Sequence, residues 1–126
     1  MINTEDVEGL EYVAPFRELI ERALAHNYGQ LNYADVIEGI KAGEYQFWSS
    51  ENSCVITTVD VFPRLKQLTV IIGAGDLGEI DKIIRPVIEE WARHINCDTM
   101  LIMGRPGWQR ALEGYRRTAV VLEKRL

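Results

Sequence analysis

Cysteine and histidine are scarce: 126 residues hold two of each, Cys54 and Cys97, His26 and His94. The cysteines lack CxxC spacing and the histidines bring no further ligand motif, so no metal site is expected. Two isolated thiols in a cytosolic domain read as reduced core residues, with a Cys54–Cys97 disulfide as the alternative. No apolar run approaches the roughly 18 residues that span a bilayer, so no membrane association is expected. The acidic opening Met1-Ile2-Asn3-Thr4-Glu5-Asp6 lacks the basic-then-apolar pattern of a secretory leader, which makes the cytoplasm the expected compartment. Repeats, low-complexity runs and linkers are absent from the sequence.

What is present suits one globular domain over residues 1–126, with 1–12 poorly defined: 47% of residues are hydrophobic and 26% charged. At this mass a folded chain exposes about 7,000 Å² of the roughly 21,000 Å² of its extended form, enough burial for one real core. The formal charge of −5 is uneven: residues 1–44 sum to −6, 45–103 to −3 and 104–126 to +4. Overall acidity opposes a dedicated nucleic-acid binder. The basic end, with Arg105, Arg110, Arg116, Arg117, Lys124 and Arg125, suits a phosphate-bearing ligand or a solvated surface.

Helical spacing of Phe16, Leu19, Ile20, Ala23 and Leu24 predicts a first helix with Pro15 in its opening turn. A second is predicted from Tyr33 to Ala42, capped by Asn32 and stopped by Gly43. Period-two segments follow at Tyr45–Trp48, Cys54–Val61 and Lys66–Ile72, joined by turns too short for a crossover helix, hence a β-meander. Beyond Gly78, Ile80, Ile83, Ile84, Val87, Ile88, Trp91, Ala92 and Ile95 form one broad apolar stripe, which Pro86 should kink or divide. A strand at Thr99–Met103, a short helix at Pro106–Glu113 and a strand at Arg117–Glu123 complete the order α-α-β-β-β-α-β-α-β. The fold class is α/β, with a mixed, mostly antiparallel sheet flanked by helices.

Gly73-Ala74-Gly75-Asp76-Leu77-Gly78 matches GxGxxG between a strand and a helix. A dinucleotide fold is disfavoured, because the loop follows a meander and the next strand ends Met103-Gly104-Arg105 without a ribose-binding acid. The physics still holds: glycines allow close backbone approach, and a helix start offers free N–H groups to an anion. Asp76 opposes this, since its carboxylate can cap the same helix. A ligand there requires those amides to be free and a hollow beside them.

The element order and the segment Gly104-Arg105-Pro106-Gly107-Trp108-Gln109-Arg110-Ala111-Leu112-Glu113-Gly114-Tyr115, followed by Val120-Val121-Leu122-Glu123-Lys124, resemble the GNAT (N-acetyltransferase) superfamily. Within it the chain is similar to small GNAT-like proteins encoded by bacteriophages. The resemblance implies acetyl-CoA or another acyl-CoA as cofactor, held at Gly73, Ala74, Gly75, Asp76, Leu77 and Gly78 with Arg105 and Arg110. It also implies a splayed gap around Val70 and Leu101 that admits the pantetheine arm. Three positions depart from the superfamily pattern. Val70 stands where an Arg or Gln commonly contacts pyrophosphate, Arg110 stands where a tyrosine commonly protonates the leaving thiolate, and residues 1–12 carry no convincing opening strand.

Acetyl transfer to an amine needs a base and a proton donor. Glu44, Asp60, His26 and His94 are the candidate bases, and Tyr115 is a substitute acid. Trp91 reads as core, Trp108 as a helix anchor or a buttress for Arg105, and Trp48 as an edge or interface residue. Two functions are compatible with these residues. One is an acyl-CoA-dependent acetyltransferase with degenerate motifs. The other is a non-catalytic module on the same fold that contacts a host protein or a virion component, in the host cytoplasm or the particle. A homodimer suits a domain of this size.

Overall fold

Four strands lie in the order β1-β2-β3-β4: β1 (Tyr45–Ser49), β2 (Cys54–Phe62), β3 (Leu65–Ala74) and β4 (Thr99–Ile102). The structure, a computed structural model, describes residues 10–26, 30–103, 108 and 112–126. β1, β2 and β3 form the antiparallel meander expected from their short joins, and β4 returns parallel to β3 after a helical crossover. The mixed, mostly antiparallel sheet flanked by helices is the fold class that the sequence implies.

One face of the sheet is covered by α1 (Arg17–Leu24) and α2 (Tyr33–Lys41). A 3₁₀ turn at Ala14–Phe16, with Pro15 inside it, leads into α1, whose Ile20 and Leu24 lie four residues apart on the buried side. A reciprocal capping box starts α2: the Asn32 side chain accepts from the Asp35 N–H at 2.8 Å, and Asp35 Oδ2 accepts from the Asn32 N–H at 3.0 Å. Gly43, at φ +77°, ends it in the left-handed conformation that glycine adopts without strain. The core on this side includes Val13, Ile20, Ile37, Cys54, Ile56 and Ile72.

The opposite face carries the crossover. It begins with α3 (Leu77–Glu79), passes through a π-helical turn at Ile80–Ile84 and continues as α4 (Arg85–His94). Pro86 lies in the first turn of α4, and the Arg85 N–H reaches back five residues to the Ile80 carbonyl, so the helix divides where proline removes a donor. The extra residue in that turn rotates the rest of the helix about its axis. Ile80, Ile84, Ile88 and Ala92 are buried at a spacing of four, whereas Ile83 and Val87 are more than half exposed and leave the stripe expected of them.

A β-bulge sits in β3. Ile56 pairs with Ile72 and Thr57 with Val70, which leaves Ile71 as the extra residue. Its consequence is a change of face. Leu68 and Val70 pack toward α4, while Ile72 and Ala74 pack toward α1, although all four are spaced by two. The bulge falls one residue after the last β3–β4 pair, Val70 with Ile102, so the two strands part there.

Two expectations near the C-terminus are corrected or unreached. Residues 115–126 form no strand: Val120, Val121 and Leu122 are 68%, 78% and 89% exposed, because no edge of this chain's sheet pairs with them. A propensity for strand does not by itself supply a partner. Of the short helix expected at Pro106–Glu113, Trp108 is helical and its carbonyl accepts from the Leu112 N–H at 2.9 Å. Residues 104–107 and 109–111, and with them Arg105 and Arg110, lie outside the described residues, as do 1–9 of the undefined opening. No helix among the described residues is long and apolar enough to cross a membrane.

Candidate functional site

The β3–α3 turn is built by side chains that the glycine pattern alone does not reveal. Gly75 has φ +112°, and a Cβ there would lie 2.4 Å from the Asn52 carbonyl oxygen, so glycine is required by the neighbouring β1–β2 loop. Buried Ser53 accepts the Asp76 N–H at 2.8 Å. Asp76 in turn caps the helix, its Oδ1 accepting from the Glu79 N–H at 3.2 Å, and a Cβ at Gly78 would meet that same oxygen at 3.0 Å. Glu79 binds the turn to the loop: Oε1 accepts from the Ser50 hydroxyl and the Asn52 N–H, and Oε2 from the Asn52 amide. The Ser50 bond, then the two from Asn52, hold this carboxyl below its ordinary range, so it is charged at neutral pH.

Gly73 is answered by Trp108. A Cβ on Gly73 would come within 2.4 Å of the indole, so the ring rests on bare backbone. It occupies the place where β3 and β4 part. The space left there is about 10 Å³, room for one water, among Val55, Val70, Ile88, Met100, Ile102 and Leu112. This lining is apolar apart from Arg85, whose Nε and Nη1 donate to Asp81 at 2.7 Å and Glu89 at 2.8 Å.

Tyr115 lies beside this gap with its hydroxyl committed. It donates to Glu89 Oε2 at 2.6 Å and also lies 3.4 Å from Met100 Sδ. Burial, then the bond to Glu89 and that residue's charge, push the phenol far above its ordinary range. Such a phenol does not readily yield its proton to a thiolate, whose conjugate acid sits near pKa 8.5. Burial pushes Glu89 upward, but bonds from Tyr115 and Arg85 and the Arg85 charge outweigh it, so the carboxylate stays ionised.

The candidate bases are dispersed. Glu44 is exposed just before β1, His26 follows α1, and His94 is exposed in the last turn of α4. Asp60 is half-buried on β2, where its Oδ2 accepts from Thr69 at 3.4 Å. Both cysteines are free thiols on opposite sides of the sheet, Cys54 in the α1–α2 core and Cys97 against the α4 core, so they are not bonded to each other. Burial raises the Cys54 thiol to about 12. Trp48, on the edge strand, meets Trp91 edge-on at 5.4 Å and donates its indole N–H to Thr57 at 3.0 Å. Among the described residues no group of three or more His, Cys, Asp or Glu is placed to hold a metal ion.

The Ile71 bulge, the Glu79 clamp and the Trp108–Gly73 contact escape sequence reasoning. A hint of the first lies in the unbroken apolar run Val70–Ile72, which serves both faces; the other two join positions far apart in the chain.

No protein-family model matches the chain, and no curated protein matches it significantly. Solved structures do. The GNAT family acetyltransferase of Staphylococcus aureus superposes with a TM-score of 0.56 over 99% of this chain and 95% of its own, at 13% identity. A Pyrococcus furiosus protein assigned as an acetyl transferase gives 0.60 over 94% and 96%, at 18% identity. TTHA1254 of Thermus thermophilus gives 0.58 over 89% and 91%, at 14% identity. At such identities the likeness concerns architecture: this chain has the fold of the GNAT acetyltransferases.

Proposed function

We propose that this GNAT-fold domain is a protein-binding module that retains the scaffold of acetyl transfer without an open coenzyme cleft. The observation that carries the reading is Trp108, which rests on Gly73 and fills the gap between β3 and β4. A pantetheine arm would have to expel the indole, at a cost of about 2 kcal/mol in lost apolar burial. A pyrophosphate would then meet Val70 in place of a cation, and the carboxylates of Asp76 and Glu79 at the helix start. The resemblance of residues 104–126 to phage-encoded proteins points to a host protein or a virion component as the partner, met in the host cytoplasm or the particle.

A second reading is favoured by one observation, the parting of β3 and β4 directly after Val70 and Ile102. In it, acetyl-CoA or another acyl-CoA enters when Trp108 swings out. Gly73 to Gly78, Arg105 and Arg110 hold the pyrophosphate, and an acetyl group passes to an amine.

Thermal unfolding with millimolar acetyl-CoA separates the two, using the wild type, Trp108→Ala and Gly75→Glu. The expected result is no shift for the wild type. A ligand present at about 100 times its dissociation constant contributes roughly 2.7 kcal/mol, about 10 °C for a chain of this size. A wild-type shift of that order, abolished by Gly75→Glu, would establish the second reading. A shift confined to Trp108→Ala supports the first and identifies the indole as the plug.

A further inference from the structure

We propose that the outward face of α4, together with Ile83 of the π-helical turn before it, is a surface on which two copies of this chain pair weakly, their helices antiparallel about a twofold axis at Pro86. The inference does not rest on the binding role above and holds whether or not the cleft accepts a coenzyme.

The π-helical turn at Ile80–Ile84 makes this face, and such turns are rare and gather at functional sites. Here it leaves Ile83 54% and Val87 55% exposed, four residues apart, with exposed Pro86 between them on the same side. Aliphatic surface is thus turned to water on a helix that already buries Ile80, Ile84, Ile88 and Ala92 on its other side.

Opposite charges bracket the patch. Lys82 precedes it and Glu90 follows it, both exposed and each four residues from Pro86. Among the described residues no carboxylate pairs with Lys82, and Glu90 meets only Arg93, at 3.7 Å, a guanidinium it shares with Glu89. The remaining charges of this stretch are spent within the chain: Arg85 holds Asp81 at 2.7 Å and Glu89 at 2.8 Å, on the flank where Tyr115 also meets Glu89.

A second copy is the occupant because the face is complementary to itself. A parallel copy would set Lys82 beside Lys82 and Glu90 beside Glu90. An antiparallel copy crossing at Pro86 sets each Lys82 level with the other copy's Glu90, about 6 Å along the axis from the crossing point. It also lays Ile83, Pro86 and Val87 of the two copies against one another, and a twofold axis closes the assembly as a dimer. So short a helical contact buries less than the roughly 1,000 Å² of a stable interface, which makes the pairing reversible, with a dissociation constant of a few hundred micromolar.

Sedimentation equilibrium of the full chain from about 20 µM to about 1 mM tests this, with circular dichroism to confirm that each variant folds. Val87→Glu should weaken the dimer by about tenfold or more, and Lys82→Glu or Glu90→Lys alone by about threefold. An equimolar mixture of the two charge variants should recover the wild-type affinity, because a heterodimer of Lys82→Glu with Glu90→Lys regains an attractive pair at both ends. A wild-type chain that stays monomeric at about 1 mM overturns the proposal. A dimer indifferent to Val87→Glu, or one whose charge variants do not rescue each other, also overturns it, because the copies then meet through another surface or in another orientation.

Discussion

The turn between β3 and α3 and the segment after Tyr115 both carry conspicuous patterns, and the fold treats them in opposite ways. In the turn, Gly73 receives the Trp108 ring, Gly75 the Asn52 carbonyl and Gly78 the Asp76 carboxylate. Three glycines spaced for a phosphate are matched by three protein neighbours. In the tail, β-branched residues with flanking cations find no strand partner among the described residues. A residue pattern specifies what the backbone permits; the identity of whatever fills the permitted space is decided by residues distant in sequence.

Gly75→Ala should produce the largest effect on the closed side of this comparison. The substituted Cβ would sit at a positive φ and 2.4 Å from backbone oxygen, and backbone cannot step aside as a side chain can. A loss of about 3 kcal/mol or more is expected, read from the urea midpoint. A loss below about 1 kcal/mol would mean that the β1–β2 loop is free to move away, which leaves the turn open to a ligand after all.

Trp108 and Gly73 provide the next test, through a double-mutant cycle. Gly73→Ala should cost about 2 kcal/mol in the wild type, because the added methyl displaces the indole. In a Trp108→Ala background the same change should cost about 1 kcal/mol less. Strict additivity would place the ring elsewhere and reopen the gap between β3 and β4.

The helices, the meander and the break at Pro86 were legible because each rests on local chemistry: a cap at Asn32, a stop at Gly43, short joins, and a missing donor. The stripe on the crossover helix was only half legible. One inserted residue at Ile80–Ile84 changes the buried spacing to four and turns Ile83 and Val87 outward, which a regular period of 3.6 does not anticipate. The bulge at Ile71 was hidden for a related reason: Leu68, Val70, Ile72 and Ala74 read as one face, and only pairing with β2 divides them between two. At the candidate site, the sequence disclosed the Asp76 cap but not Glu79 or Trp108, whose partners lie 27 to 35 residues away.

Tyr115 marks the boundary between the closed and open regions, and its effect should be the smallest of the three. Glu89 is held below its unfolded value with the help of the Tyr115 hydroxyl. A depressed carboxylate contributes stability that is present above its unfolded pKa, near 4.3, and is lost as pH falls through the folded value. Tyr115→Phe removes one bond to that carboxylate, so it should cost about 1 kcal/mol at pH 7 and less at pH 3, where the wild type has already lost part of the same contribution. The difference in unfolding free energy between the two proteins, followed from pH 7 to pH 3, should therefore narrow. If it stays constant, the hydroxyl's contribution does not run through the charge of Glu89, and its contact with Met100 Sδ is the one that anchors the chain at this point.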